Sequence, residues 1–164
     1  MRFRIFPAPK AALRPANLAD APDLSTIHAE GGFSGSWTTG DFESLLADKA
    51  VITEIACHSR APAKLFGFVM SRIAADEAEI LTIAIRRTHR GNGYGRRLLE
   101  THLPRLAASG VKMLYLEVEE DNKPAITLYE NTGFIVAGIR KAYYRKPDGR
   151  LANAIIMKRA LTNL

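Results

Sequence analysis

The sequence predicts one α/β domain in which a mixed, mostly antiparallel sheet carries helices on its flanks. Strand-type alternation and helix-type periodicity follow one another in the order β-α-α-β-β-β-α-β-α-β-β. Three consecutive strand candidates in the first half are joined by short connections, which favours an antiparallel meander. A chain of 164 residues with 47% hydrophobic content suffices for a single packed core.

The opening segment, residues 1–12, is basic and free of acidic residues. We interpret it as a loose arm or a first strand, and we assign residues 13–164 to the single domain. Its apolar part is too short for a secretion signal, and no apolar run approaches the ~18 residues of a membrane span. The single cysteine, Cys57, excludes a disulfide framework and a zinc site built from several cysteines. We therefore expect a cytoplasmic protein without a metal or a membrane partner.

Two helices and four strands are expected in the first half of the domain, beginning with a short strand end at residues 13–15. Asn17 or Asp20 is a suitable cap for a helix that ends at Gly31, and a second short helix follows a loop. The other strand candidates are residues 51–57, 65–73 and 80–85. We expect these three strands to form a meander, which makes the first half mostly antiparallel.

Two helices and three strands are expected in the second half of the domain. The first helix continues to Gly110 across Pro104, where we expect a kink and not a break. A strand follows, and its apolar and polar residues alternate over 113–118. The next helix ends at Gly133, which suits the position just after a helix. The last two strand candidates are residues 134–144 and 152–158.

Residues 77–100 form a strand, a glycine-rich turn and the start of a helix. Glycines in the turn allow a backbone to approach a ligand closely, and a helix start offers unpaired N–H groups and a positive dipole end to a phosphate. Five arginines crowd the same stretch, at positions 86, 87, 90, 96 and 97. The expected ligand is therefore polyanionic. The spacing fits neither a P-loop nor the G-x-G-x-x-G fingerprint of dinucleotide folds.

The glycine turn resembles the acetyl-CoA signature R/Q-x-x-G-x-G/A of the GNAT superfamily of N-acetyltransferases, with Arg90, Gly93 and Gly95 in register. The block LEVEEDNKPAITLYENTGF, with the later RKAYY and AIIMKR, is similar to bacterial RimI-type enzymes, which acetylate the N-terminal alanine of a small-subunit ribosomal protein. The resemblance implies the GNAT fold, in which two central strands splay apart and acetyl-CoA lies in the gap. Here those strands end near Ile85 and Val118.

The same resemblance implies which residues hold acetyl-CoA. Backbone N–H groups of the strand before the turn would bind the acetyl carbonyl and the pantetheine, and the turn would cradle the pyrophosphate. The asparagine before the next helix would contact CoA, and it is also a suitable helix cap. The implied cofactor-binding residues are Ile83, Ala84, Ile85, Arg90, Gly91, Asn92, Gly93, Tyr94, Gly95, Arg96 and Asn122.

Two residues are candidates for the chemistry of acetyl transfer, which requires a base for the amine and stabilisation of the leaving thiolate. Periodicity alone leaves Glu117 open to a role in a salt bridge and Tyr129 open to a role in the core. The resemblance implies that Glu117 accepts the proton and that Tyr129 donates one to the thiolate. Because a tyrosine pKa near ~10 exceeds a thiol pKa near ~8.5, we expect Tyr129 to act largely as a hydrogen-bond donor.

Aromatic residues are the candidates for substrate binding. Tyr143 and Tyr144 end the strand candidate 134–144, and we assign them to the loop that joins it to the last strand. They resemble the peptide-binding aromatics of the family; a cross-strand aromatic pair is the alternative interpretation. Phe33 and Trp37 belong to a segment that corresponds to a substrate-side loop of the family. This segment reads F-S-G-S-W where the family reads F-P-W-S, and the inserted residue and lost proline are expected to move the loop.

Charge is unevenly distributed along the chain. Residues 15–57 contain seven acidic residues against one lysine, although the net charge of the chain is +6. This distribution suits a phosphorylated cofactor and a cationic substrate, and it also fits ordinary solvated helix faces.

We expect acetyl transfer from acetyl-CoA to the N-terminal α-amine of a protein, a ribosomal protein in particular. The alternatives are a lysine side chain or a small-molecule amine as acceptor, and a non-catalytic nucleic-acid or CoA-binding module. No motif indicates a nucleic-acid partner.

Overall fold

The computed structural model describes residues 10–33 and 35–162, which form seven strands and four helices. In chain order they are β1 (Ala11–Pro15), α1 (Ala21–Glu30), α2 (Thr39–Ala47), β2 (Val51–His58), β3 (Ala61–Ala74), β4 (Glu77–Ile85), α3 (Tyr94–Ala108), β5 (Met113–Glu119), α4 (Lys123–Asn131), β6 (Ile135–Arg145) and β7 (Leu151–Ala160). Short 3-10 turns precede α1 and α3. The predicted order of helices and strands is confirmed, and β1 begins inside the segment predicted as an arm or first strand.

The strands of the described residues form one sheet in the order β1-β2-β3-β4-β5-β7-β6. Neighbouring strands are antiparallel except for β4 and β5, which run parallel. The mixed, mostly antiparallel sheet is therefore as predicted. Its single parallel pair lies at the centre of the sheet, and α3 is the crossover that this pair needs.

The central strands β4 and β5 pair over only part of their length. The paired residues are Glu77 with Met113, Ala78 with Leu114, and Glu79 with Tyr115. Both strands continue past these pairs. The register between β3 and β4 skips Leu81, because Thr82 pairs with Met70 whereas Ile80 pairs with Ser71. Such a bulge bends a strand and increases its local twist. A gap consequently opens between the carboxyl ends of β4 and β5.

Two apolar layers cover the sheet. One lies under α3 and α4 and includes alternate residues of β5, namely Leu114, Leu116 and Val118. The other lies under α1 and α2 and draws its strand residues from β2, β3 and β4. The opposite residues of β5, including Glu117, lie on the face of the sheet that α1 and α2 cover elsewhere, and they are partly exposed. This arrangement leaves one side of the gap open.

Local signals set the helix boundaries much as the sequence predicts. Asn17 accepts a hydrogen bond from the Ala19 N–H and caps the 3-10 turn before α1. Asn122 caps α4 by accepting from the Ala125 N–H at 3.3 Å. Pro104 lies inside α3, and the helix continues through it without a break. Among the described residues, no helix combines the length and the apolarity needed to cross a bilayer.

A buried polar network joins β2, β3 and α3. Ser71 Oγ lies 2.7 Å from His102 Nε2, while His102 Nδ1 and the Arg105 guanidinium contact the two oxygens of the Glu54 carboxylate. Serine, histidine and acid follow one another as in a hydrolase triad. However, Ser71, His102 and Glu54 are at most 1% exposed, so a substrate has no access to them. The network therefore stabilises the packing of α3 against β2 and β3.

Replacement of Glu54 by alanine is expected to lower the free energy of unfolding by about 3–5 kcal/mol, because the change leaves His102 and Arg105 without their acceptor. Urea denaturation measures the difference. The exposed Glu43 of α2 is the matched control, and its replacement by alanine should change the free energy by less than about 0.5 kcal/mol. Equal effects of the two substitutions would contradict a stabilising network.

Candidate active site

The last residues of β4 direct backbone groups into the gap. The Arg86 N–H donates to the Phe66 carbonyl of β3 at 2.7 Å, and the regular register places Ala84 on the same side. Because successive residues of an antiparallel strand point their backbone groups to opposite neighbours, Ile83 and Ile85 point theirs away from β3. The N–H groups of Ile83 and Ile85 therefore face the gap, whereas that of Ala84 faces β3.

Side chains of the glycine turn hold the turn itself in shape. Arg90 donates from Nε to the Ile85 carbonyl at 2.9 Å and from Nη2 to the Glu30 carbonyl at 3.1 Å. Asn92 donates from Nδ2 to the carbonyls of His89 and Arg90, both at 3.1 Å. These side chains fix the turn against β4 and α1, and the turn presents its backbone to a ligand.

The start of α3 is a suitable anion site. Gly93 is its N-terminal flanking residue, with φ of +77°, and no side chain caps the helix there. Gly91 has φ of +75°, so both residues occupy a conformation that only glycine adopts without steric cost. The first N–H groups of a helix lack intrahelical partners, which here applies to Tyr94, Gly95 and Arg96. They point, with the positive end of the helix dipole, to the place where a phosphate would bind.

Beyond their backbone N–H groups, Tyr94, Gly95 and Arg96 have separate roles in the fold. Tyr94 is buried in the core layer under α3, so only its backbone is available to a ligand. A Cβ at Gly95 would lie 3.1 Å from Leu128 Cδ2, which shows how closely α3 and α4 pack there. Arg96 pairs with Glu100 on the surface of α3 at 2.7 Å. The glycine at position 95 thus serves helix packing as well as the turn.

Glu117 faces a cleft of about 530 Å³ beyond the last pair of β4 and β5. Its side chain is 20% exposed, and its Oε1 lies 2.9 Å from Nη2 of Arg140. The cleft is lined by Glu79, Ile80, Leu81, Glu117, Tyr143 and Tyr144. The carboxylate therefore has both partial shielding from water and access to a ligand, as a general base requires.

Tyr129 is buried on α4 and packs edge-on against Phe134, with ring centroids 5.7 Å apart. Burial raises the pKa of Tyr129 well above its ordinary value, and the nearby Tyr144 raises it further. The hydroxyl therefore keeps its proton at neutral pH. A group in this state is a hydrogen-bond donor and a poor acid; its contact with a departing thiolate stays a prediction.

Tyr143 and Tyr144 lie within β6, as the strand candidate 134–144 predicts, so their assignment to the loop between the last strands is wrong. β6 extends to Arg145, and the turn that follows is closed by a hydrogen bond from the Lys146 N–H to the Arg150 carbonyl. The rings of Tyr143 and Tyr144 are nearly perpendicular at 5.1 Å. Tyr143 is 51% exposed. Burial and the Glu117 carboxylate raise the pKa of Tyr144, which is half-buried.

Phe33 and Trp37 stack on the two faces of His28. The ring centroids are 4.7 and 4.8 Å from that of His28, and the planes are nearly parallel. The backbone N–H of Trp37 donates to His28 Nδ1 at 3.5 Å, and burial lowers the pKa of His28. The loop between α1 and α2 is thereby anchored at both ends. Ser34 of this predicted substrate loop lies outside the described residues, as do residues 1–9 of the predicted arm.

The sequence model of the Acetyltransferase (GNAT) family matches residues 27–134, more than half of the chain. The chain belongs to this family. The GNAT fold predicted from the glycine turn is therefore confirmed. The turn and the splayed strands lie in the region that the family model covers, whereas Tyr143 and Tyr144 of the cleft lie beyond it.

Relatives of this GNAT protein share one named enzymatic function. The [ribosomal protein bS18]-alanine N-acetyltransferases of Haemophilus influenzae and Escherichia coli K12 are each 43% identical to it over 94 residues, which is 57% of this chain. The match spans 64% and 63% of these relatives, less than two thirds of their length.

Solved structures extend the likeness to nearly the whole fold. The crystal structure of the ribosomal-protein-S18-alanine N-acetyltransferase from Escherichia coli superposes with a TM-score of 0.83 and 30% identity, over 94% of this chain and 99% of that one. Arabidopsis thaliana NAA60 in complex with acetyl-CoA superposes with a TM-score of 0.79 over 92% of this chain and 98% of that one. At 20% identity, the second likeness concerns the fold alone.

Arg140 is a site residue that the sequence did not predict. Its guanidinium binds Glu117 and also lies over the Tyr143 ring, 4.5 Å from the centroid. No local pattern marks this arginine among the basic residues of β6, because its position depends on the register with β7.

Among residues 10–33 and 35–162, no three potential metal-binding side chains cluster.

Proposed function

We propose that this GNAT protein transfers the acetyl group of acetyl-CoA to the N-terminal α-amine of a protein, with ribosomal protein bS18 as the first candidate. The observation that carries the proposal is the position of Glu117. This carboxylate faces the cleft where β4 and β5 part, with an aromatic pair beside it. The relatives named above are N-acetyltransferases of ribosomal protein bS18, which supports the choice of substrate. Acetyl-CoA and ribosomal proteins both imply a cytoplasmic reaction.

The residues around the gap fit acetyl-CoA. The N–H groups of Ile83 and Ile85 would bind the pantetheine and the thioester carbonyl, as an added strand would. The free N–H groups at the start of α3 would bind the pyrophosphate, with Arg90 and Asn92 holding the turn in shape. Asn122 at the start of α4 would contact CoA from the other side of the gap. The cofactor supplies an activated acetyl thioester.

Acetyl transfer at this cleft requires a proton acceptor and a donor to sulfur. The amine nitrogen attacks the thioester carbon, the bond from that carbon to sulfur breaks, and the amine proton passes to Glu117. Tyr129 donates a hydrogen bond to the departing thiolate. An α-amine has a pKa near ~7.7–8.0 and a lysine near ~10.4, so deprotonating lysine at neutral pH costs roughly 3 kcal/mol more. A single carboxylate base therefore suits the α-amine.

The cleft also suits the N-terminal end of a peptide. Tyr143 and Tyr144 provide apolar contact area and hydroxyl groups on one side. Among the described residues, the loop with Phe33 and Trp37 is not one of the segments that line the cleft, and it stays a candidate for contact with more distant residues of the peptide. The carboxylate of Glu79 lines the same cleft. An ammonium group would be attracted to this acidic cleft before it loses its proton.

Release of free thiol from acetyl-CoA tests the proposed function. We expect release with a peptide that carries the bS18 N-terminus, and none with the same peptide blocked at its α-amine or with spermidine. Release with spermidine or with the blocked peptide alone would contradict the α-amine assignment while leaving the acetyl-CoA site in place. Absence of release with all three acceptors would overturn the proposed acetyl transfer to these amines.

Replacing Gly93 with alanine is expected to weaken acetyl-CoA binding by about tenfold, since a left-handed conformation costs an L-residue about 1–2 kcal/mol. Isothermal titration calorimetry measures the Kd. Gly40→Ala in α2 is the control, because its Cβ would meet nothing closer than 3.8 Å and its φ is not positive. An unchanged Kd for Gly93→Ala would show that the turn does not hold the cofactor.

A further inference from the structure

Three residues of β6 leave the register with β7 beside the cleft. The flanking register pairs are Arg140 with Ala154 and Tyr144 with Ala152. Residues 141–143 consequently lie opposite Asn153 alone. In their midst Ala142 has φ of +52°, a left-handed conformation that costs free energy for any residue with a Cβ. Such strain persists only where the surroundings hold the backbone in place, and it is frequent at functional sites.

Asn153 holds this bulge. Its Oδ1 accepts a hydrogen bond from the Ala142 N–H at 2.9 Å. Glu120 fixes the orientation of the asparagine, because its two carboxylate oxygens accept from the Asn153 N–H at 2.9 Å and from Nδ2 at 3.1 Å. The Glu120 N–H donates in turn to the Asn153 carbonyl at 3.0 Å. With Nδ2 committed to the carboxylate, Oδ1 must face Ala142.

The bulge decides which side chains reach the cleft. In a regular strand, neighbouring residues point to opposite faces of the sheet, so Tyr143 and Tyr144 would be separated. With the bulge, both tyrosines line the same cleft as Glu117. The residue that precedes the bulge, Arg140, reaches both Glu117 and the Tyr143 ring. The shape of the acceptor side of the cleft thus depends on a backbone conformation that Asn153 maintains.

We propose that Asn153, held by Glu120, is a positioning residue for peptide recognition. It maintains the strained bulge that presents Tyr143 and Tyr144 to the N-terminal residues of the acceptor peptide. It does so from outside the cleft, since neither Asn153 nor Glu120 is among the residues that line it. The inference rests on the proposed function, and it predicts an effect on the acceptor side and none on the cofactor side.

Asn153→Ala is expected to raise the KM for the bS18 peptide by about fivefold, which corresponds to the loss of one hydrogen bond of about 1 kcal/mol, and to leave the KM for acetyl-CoA unchanged. Adding Ala142→Gly should restore much of the peptide KM, because glycine adopts a positive φ without the steric cost. Ala142→Gly alone should resemble the wild type. Asn131→Ala, at an exposed asparagine that ends α4, is the matched control and should also resemble the wild type.

An unchanged peptide KM in Asn153→Ala would overturn the proposal, and so would a double variant no better than Asn153→Ala. A general loss of stability would alter both KM values and would not be rescued by glycine. Deuterium exchange of the Ala142 amide tests the bulge without any acceptor. We expect faster exchange in Asn153→Ala than in the wild type, whereas equal exchange would contradict the role of Asn153. A wild type that fails to acetylate peptides would defeat the proposed function, and the exchange result would then decide on the bulge.

Discussion

Replacing Glu117 with glutamine is expected to lower kcat for peptide acetylation by about 100-fold, the lower range for the loss of a general base. Glutamine has nearly the same size and keeps an oxygen that can accept from Arg140, but its amide cannot take a proton from the amine. The substituted side chain lies in the acceptor cleft and away from the glycine turn. The Kd for acetyl-CoA should therefore remain as in the wild type. Steady-state kinetics and calorimetry together separate the two effects.

Glu119→Gln is the matched control for this experiment. Glu119 lies two residues further along β5, on the same face as Glu117, and it pairs with Lys146 at 3.0 Å. It does not line the cleft, so its replacement should leave kcat near the wild-type value. Equal kcat values for Glu117→Gln and the wild type would remove Glu117 as the base. A similar fall in both variants would point to a general electrostatic effect of the acidic face.

Replacing Tyr129 with phenylalanine is expected to lower kcat by about 10- to 100-fold, because a hydrogen bond to a charged group is worth about 1.5–3 kcal/mol. The change removes only the hydroxyl and retains the ring that packs against Phe134. The melting temperature should therefore stay close to the wild-type value. Tyr115→Phe, on β5 at a half-buried position outside the cleft, is the control and should preserve kcat.

The pH dependence of kcat distinguishes this role of Tyr129 from that of an ordinary acid. An unperturbed tyrosine loses half its protons near pH ~10, whereas burial raises the pKa of Tyr129 above that value. The hydroxyl consequently remains a donor. The kcat of the wild type should therefore change between pH 9 and 10 in the same way as the kcat of Tyr129→Phe. A decline there in the wild type alone would mean that Tyr129 loses its proton in the working range.

Much of the fold follows from patterns that lie within single segments. The alternation along β5 predicts both the strand and the face that carries Glu117, because a period of two separates core from solvent. Asn122 and Gly133 mark the ends of α4 by capping rules that need only a few neighbouring residues. The glycine turn likewise combines its signals within one stretch. Such local patterns are visible without knowledge of the tertiary structure.

The acceptor side of the site depends on contacts that no single segment encodes. The strand candidate 134–144 contains Tyr143 and Tyr144, but their assignment to a loop is wrong, because β6 continues through a bulge that a hydrogen bond from another strand maintains. The pairing of Arg140 with Glu117 depends on the same register. The stacking of His28 between Phe33 and Trp37 joins a helix to a loop whose spacing departs from the family pattern. The bulge and the pairing of Arg140 with Glu117 require the sheet to be assembled first.

Tandem mass spectrometry of a single acceptor tests the central claim most directly. The acceptor is a bS18-derived peptide that carries a free N-terminal alanine and an internal lysine, so that both amines compete within one molecule. Incubated with acetyl-CoA and the wild-type protein, it should gain one acetyl group on the α-nitrogen, and the gain should be about 100-fold slower with Glu117→Gln. Acetylation of the lysine with an unmodified α-nitrogen, or equal rates for the two proteins, would contradict an N-terminal acetyltransferase that uses Glu117 as its base.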